Sequence, residues 1–156
     1  MKNKFIISFL FLFFLVVASH GQNKVEKEAI ESLIYRLFDG MTARDTAKVR
    51  SVFHPQAKLL STRFNEDGKP VLTDIKVDKF ISTLGENQEH LFDERLTSIT
   101  IFIDDNLAMA WTPYQFFLDH QFSHCGVNAF QLVKIDSAWK IIHLIDTRRK
   151  DDCLEN

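Results

Sequence analysis

Apolar positions recur every three or four residues from Val25 through Ala29, Ile30, Leu33, Ile34, Leu37 and Phe38 to Met41. This period predicts an amphipathic helix over 24–42, with Asn23 as its cap and Glu26 as the returning carboxylate of a capping box. Asp45 reads as the cap of a second, short helix with Val49, Val52 and Phe53 on its apolar side, stopped by His54-Pro55. Two short strands, 58–64 and 71–75, flank the turn-rich Asn65-Glu66-Asp67-Gly68-Lys69-Pro70. Val77, Phe80, Ile81 and Leu84 mark a third helix closed by Gly85. The pattern then changes to strands over 91–103, 107–118, 122–135 and 138–148, separated by short polar turns. Consecutive hairpins predict an antiparallel sheet, and Pro113 in mid-strand predicts a bulge and a bend there. The expected order is α-α-β-β-α-β-β-β-β. This is the α+β class: a cone made by a bent antiparallel sheet with three helices from the N-terminal half on its concave face.

The last strand refines this picture. Trp139-Lys140-Ile141-Ile142-His143-Leu144-Ile145 is apolar on both faces, whereas a sheet covered on one side alternates. A covered second face is expected, and a symmetric homodimer is the simplest cover.

The N-terminus has a different character. Lys2 and Lys4 precede an apolar run from Phe5 to Ala18, followed by Ser19-His20-Gly21. A basic start, a short apolar core and small residues at the end make residues 1–21 a secretory signal peptide. The run is too short for a comfortable membrane span, so no stable anchor is expected after processing. Cleavage after Gly21 leaves residues 22–156 as one domain, and a cut after Ala18 is the alternative. Loss of Lys2 and Lys4 takes the net charge from -2 to -4, which argues against a nucleic-acid partner. The expected location is periplasmic or secreted.

The chain resembles the nuclear transport factor 2-like superfamily, in its secreted bacterial SnoaL-like or "putative lumazine-binding" branch. The residues that carry the resemblance are Asp39-Gly40-Met41 with Asp45, Phe53-His54-Pro55, Trp111-Thr112-Pro113-Tyr114, Ser123-His124-Cys125-Gly126, Ala138-Trp139-Lys140-Ile141-Ile142-His143 and Asp146-Thr147-Arg148-Arg149. It extends over residues 24–150. It implies the cone fold, which hosts isomerases, cyclases, dehydratases and transport factors. Its catalytic members, ketosteroid isomerase and polyketide cyclase, place an acidic base inside the cone, and the isomerase adds a Tyr and a protonated Asp. Tyr35 and Asp146 answer to that general idea, although neither stands in those families' local motifs.

Candidate chemistry concentrates on the strands. Asp146 and Arg148 share a strand face. A two-residue turn at Asp136-Ser137 pairs Ile135 with Ala138. Continued without interruption, this register sets Asp146 opposite Val127, His143 opposite Phe130 and Cys125 opposite Arg148. Trp111, Tyr114 and His143 come from neighbouring strands and suit the wall of a small-molecule pocket, with Tyr35 contributing from the first helix. The expected ligand is small and planar or carbonyl-bearing, stacked between Trp111 and Tyr114, its polar edge fixed by Asp146 and Arg148. The plainer alternatives are a structural ion pair and core or dimer aromatics. His54 reads as a capping or hydrogen-bonded structural histidine rather than a catalytic base, and Arg63 as a solvated residue near the cavity mouth. His120 and His124 flank a turn without a third ligand, so no metal is expected; no motif calls for a cofactor. Cys125 and Cys153, in an oxidising compartment, are expected to form a disulfide, with two free thiols as the alternative.

Two functions follow from these residues. The first is an exported small-molecule-binding or scaffold protein. The second is an acid/base enzyme of isomerase, cyclase or dehydratase type acting on a small carbonyl compound, with Asp146 or His143 as base and Tyr35 or Tyr114 as donor.

Overall fold

The computed structural model of the protein describes the backbone of residues 3–86 and 89–153, and side chains from residue 23 onward. Three helices, α1 (Asn3–Ala43), α2 (Thr46–Val52) and α3 (Val77–Glu86), accompany seven strands among the described residues. The strands are β1 (Phe53–Phe64), β2 (Pro70–Ile75), β3 (Phe92–Leu96), β4 (Thr100–Asp104), β5 (Leu107–Leu118), β6 (Gln121–Ile135) and β7 (Ala138–Arg148). The sheet runs β2-β1-β7-β6-β5-β3, with β4 also paired to β5. The helices pack on its concave face, and the α+β cone is as expected.

Several local expectations change. Asn23 caps nothing, because α1 runs on from Asn3. Glu26 binds the sheet instead of its own helix end: its two carboxylate oxygens accept from Lys134 Nζ at 2.6 Å and Trp139 Nε1 at 2.7 Å. That clamp ties α1 to the β6–β7 hairpin. The expected signal peptide, residues 1–21, falls among residues whose side chains lie outside the description. Among the described residues no helix is long and apolar enough to cross a membrane.

At its C-terminus α1 ends in a Schellman arrangement. Arg44 takes a left-handed φ of 55°, while Asp45 N–H donates to Gly40 O at 2.9 Å and Arg44 N–H to Met41 O at 3.1 Å. Asp45 then caps α2 as predicted, accepting from Lys48 N–H at 2.8 Å. His54 caps no helix but is the hydrogen-bonded structural histidine of the other expectation: it is the second residue of β1, and its Nδ1 accepts from Gln56 N–H at 3.2 Å. Gly85 lies inside α3 rather than beyond it.

The sheet is mixed rather than wholly antiparallel, because β1 lies parallel to β7. Sequence order could not show this, since β1 and β7 are the first and last strands. The predicted strand 91–103 is two strands, both antiparallel to β5. The break falls beside Pro113, whose carbonyl accepts from Thr97 N–H at 2.9 Å. Proline lacks the N–H that would continue the ladder, so the irregularity sits on the β3/β4 edge. The β5/β6 ladder passes through Pro113 unbroken and bulges later, between Phe116 and Phe117.

The most consequential departure lies in the last hairpin. The turn at Asp136-Ser137 forms as predicted and Ile135 pairs with Ala138, but the register shifts between Leu132↔Ile141 and Gln131↔His143. Ile142 is the extra residue of a β-bulge. Asp146 therefore faces Asn128, His143 faces Gln131, and Cys125 bridges to Arg149. The bulge also reverses the inward phase. Trp139 and Ile141 are buried before it, Leu144 and Asp146 after it, and this switch accounts for much of the two-faced apolar appearance of β7.

Candidate functional site in the cone

Ladder partners point their side chains to the same side of a sheet, so the register sorts the concave face into layers. One apolar layer is Ile101–Ala110–Phe130–Leu144–Leu59, running through β4, β5, β6, β7 and β1. All five are buried, in one core with Ile30, Ile34, Leu37 and Phe38 of α1. The next layer is Thr112–Asn128–Asp146–Ser61 across β5, β6, β7 and β1. These four make up the buried polar residues among those described. Beyond them come Tyr114 on β5 and the ladder partners Arg148 and Arg63 on β7 and β1.

A cavity of about 1040 Å³ opens over the polar and outer layers. Tyr114, Asp146 and Arg148 line it with Glu94, His124 and Arg63, between apolar walls that include Phe80, Phe92 and Phe116. Arg148 Nε donates to Asp146 Oδ2 at 2.8 Å. The Tyr114 hydroxyl lies 2.9 Å from Thr147 O and 3.3 Å from the same Asp146 oxygen. Asp146 Oδ1 is buried with no hydrogen-bond partner, as is Thr112 Oγ1. Asn128 Nδ2 donates to Glu94 Oε1 at 2.7 Å, which brings a second carboxyl to the same floor.

Gly126 makes the corner possible. A Cβ there would lie 1.8 Å from Thr147 O and 2.9 Å from Tyr114 Cε1. Its absence lets β6, the Tyr114 ring and the end of β7 converge. Just beyond, Cys125 and Cys153 are disulfide-bonded, with Cα atoms 5.8 Å apart. This holds the chain after β7 at the cavity mouth, where Arg149, Lys150 and Asp151 contribute to the lining.

Electrostatics differentiate the groups. Burial pushes the Glu94 carboxyl up to about 7; the Asn128 hydrogen bond opposes this, Asp146 adds to it and Arg148 works against it. Burial, then the Asp146 and Glu94 charges, hold the Tyr114 phenol far above its ordinary range. Burial pulls the His124 imidazole down to about 4, with Arg148 adding to the fall. His124 is thus neutral at neutral pH. It stacks on Phe116 at 4.8 Å and meets Tyr114 edge-on at 5.9 Å.

The structure thus brings together Tyr114, Asp146 and Arg148, and leaves out Trp111, His143 and Tyr35. Trp111 is three residues from Tyr114 and so on the opposite face; it is 48 % exposed on the outer side of β5. His143 shares that outer side with Gln131. Tyr35 is 49 % exposed on α1 and does not line the cavity. A ligand cannot be sandwiched between Trp111 and Tyr114. Of the bases and donors expected from sequence, His143 and Tyr35 are away from the cavity and Asp146 is clasped by Arg148. Glu94 and Asn128 were not anticipated. The available signal was Phe92-Asp93-Glu94-Arg95-Leu96, where alternation puts Glu94 on the apolar side of a strand.

A family model described as putative lumazine-binding matches residues 25–144. No curated protein matches the chain. Solved structures share the fold. A nuclear transport factor 2-like protein with a cystatin-like fold from Novosphingobium aromaticivorans has a TM-score of 0.66 at 11 % identity, covering 87 % of this chain and 90 % of its own. A protein from the same organism described as a putative scytalone dehydratase has 0.66 at 14 %, covering 88 % and 93 %. A nuclear transport factor 2-like protein of unknown function from Shewanella baltica has 0.57 at 16 %, covering 81 % and 95 %. At these identities the likeness concerns fold alone, and that fold is nuclear transport factor 2-like.

Proposed function

The chain belongs to the putative lumazine-binding family, and from that premise we propose that its cone binds a small planar or carbonyl-bearing molecule, in a homodimeric protein exported to the periplasm or beyond. The observation that carries this reading is Asp146 Oδ1, an acceptor buried on the cavity floor with no partner among the described residues. Leaving such a group unsatisfied costs about 1–3 kcal/mol, and a ligand N–H or O–H would recover it. The family's name fits that chemistry: lumazine is a planar heterocycle edged with N–H and C=O groups. Asp146 would accept from such an edge, while Arg148 and protonated Glu94 would donate to it. The Cys125–Cys153 disulfide agrees with export into an oxidising compartment.

Native mass spectrometry of protein purified from its own periplasm tests this reading. The expected spectrum shows a small-molecule adduct that Asp146→Leu loses. Bare protein in every preparation, with no affinity for lumazine, overturns it.

Glu94 favours a second reading, in which the protein moves a proton on a bound carbonyl compound. A carboxyl poised near 7 can both give and take a proton at neutral pH, and Glu94 shares the cavity with Asp146. One solved relative is described as a putative dehydratase. Deuterium incorporation beside the carbonyl of a candidate substrate, followed by NMR in heavy water, would be abolished by Glu94→Gln. Incorporation at the uncatalysed rate across a panel of ketones counts against it.

A further inference from the structure

Arg63 and Arg148 are direct partners across the parallel β1/β7 ladder, and both line the cavity. Like charges placed opposite each other on a sheet repel, so this pairing calls for compensation. Asp146 supplies part of it, engaging Arg148 through Nε. Arg63 has no hydrogen bond or ion pair among the described residues. Farther out, Arg149 and Lys150 add positive charge and Asp151 negative charge. Burial keeps Glu94 largely protonated below about 7, which reduces the negative charge deeper inside. The opening therefore has more cationic than anionic side chains.

The walls reached through this opening are apolar. Phe92 packs on Phe116 at 6.0 Å, and the neutral His124 ring continues the stack. We infer that the cavity selects an organic anion: an apolar or aromatic body against Phe92, Phe116 and His124, with a carboxylate or similar oxyanion held between Arg63 and the terminal nitrogens of Arg148. Guanidinium groups favour this class because their planar donors match the two oxygens of a carboxylate. The deep end of the ligand would then carry the N–H or O–H that reaches Asp146 Oδ1. This inference rests on the binding reading above and adds the charge and polarity of the ligand.

A pair of fluorescent probes separates the two claims. Anilinonaphthalenesulfonate and N-phenylnaphthylamine share one apolar skeleton, and only the first carries an anionic group. The purified protein is expected to bind the sulfonate about tenfold more tightly, as one charge-assisted contact warrants. That advantage should shrink as salt is raised. Arg63→Gln should abolish it without weakening the neutral dye, and Arg63→Lys should restore part of it. Arg63 is exposed, so neither change threatens the fold. Trp111→Ser, on the outer face, should leave both affinities unchanged. Equal binding of the two dyes, or equal loss of both in Arg63→Gln, overturns the anion assignment while the binding cavity stands. Failure of both dyes to bind, or loss of binding in Trp111→Ser, overturns the cavity reading and the inference with it.

Discussion

Asn128 faces Asp146 directly across the β6/β7 ladder and donates to Glu94 from the same side chain. One residue therefore holds Glu94 by its side chain and neighbours Asp146 by its place in the ladder, a position set by the bulge at Ile142.

The Asp146–Arg148 pair should be asymmetric under mutation. The Asp146 side chain is 12 % exposed and that of Arg148 46 %. Removing Arg148 leaves a buried carboxylate without its cation, so Arg148→Ala is expected to cost about 1–2 kcal/mol, reduced from the fully buried case by solvent at the guanidinium. Asp146→Asn combined with Arg148→Met should recover part of that loss but not ligand binding. Urea denaturation measures the stability change, and a double variant that binds as well as wild type would reduce the pair to a structural clasp.

Glu94 should make stability depend on pH in a definite direction. Its folded-state value of about 7 lies above the ordinary 4.5, so the folded protein holds the proton more tightly than the unfolded chain. Stability should fall as pH rises from about 4.5 to about 7 and level off above. Over that window the change is on the order of 3 kcal/mol. Glu94→Gln should remove this slope, as denaturation midpoints across that range would show. A variant whose pH profile parallels wild type contradicts the assignment.

Gly126→Ala should be costly in an otherwise ordinary strand. The new Cβ meets the Thr147 carbonyl, a backbone atom that cannot swing aside. Overpacking of this kind costs about 1–3 kcal/mol or more, and the Tyr114 hydroxyl should lose its bond to Thr147 O. Thermal unfolding and tyrosine fluorescence report the two effects.

The Cys125–Cys153 bond closes a loop between residues 28 apart in sequence. Chain-entropy estimates give about 3–4 kcal/mol for a loop of this size. The double Ser variant should be destabilised by that order and, with the tail released from the mouth, should show faster amide exchange over 149–153. Unchanged stability on reduction would contradict this.

The homodimer proposal now rests on the outer face. Phe102 and Met109 are ladder partners exposed there, and the row Trp111–Ala129–Ile145–Leu60 crosses β5, β6, β7 and β1 beside them. Such a patch on one sheet face suits association with a second copy. Sedimentation at micromolar concentration should show a dimer, and Trp111→Asp should shift it towards monomer. A monomeric wild-type protein removes the proposal.

The sequence alone determined most of the elements, though not the division of 91–103 into β3 and β4. The helical period of residues 25–41, the cap at Asp45 and the tight turn at Asp136-Ser137 are local signals, each written in a few adjacent side chains, and each appears where it was read. The order of those elements was enough to point to the cone. Asp146 and Arg148 share a face because they are two apart on one strand, and no tertiary contact is needed to know it.

Tertiary structure alone decided which residues meet. The parallel union of β1 with β7 joins the first strand of the chain to the last and places Ser61 beside Asp146 and Arg63 beside Arg148; nothing local encodes a contact across so much chain. The bulge at Ile142 shifts the ladder by one residue, and with a side-chain period of two this reverses every facing beyond it. His143 is therefore turned outward while Leu144, Asp146 and Arg148 face in. Glu94 escaped notice because an isolated acid on a short strand carries no motif, and its character comes from burial and from Asn128. The alternation of strand faces could have separated Trp111 from Tyr114 in advance. The polar layer Thr112–Asn128–Asp146–Ser61 could not have been anticipated, since its four members lie on four strands and are aligned only by a ladder that includes the bulge.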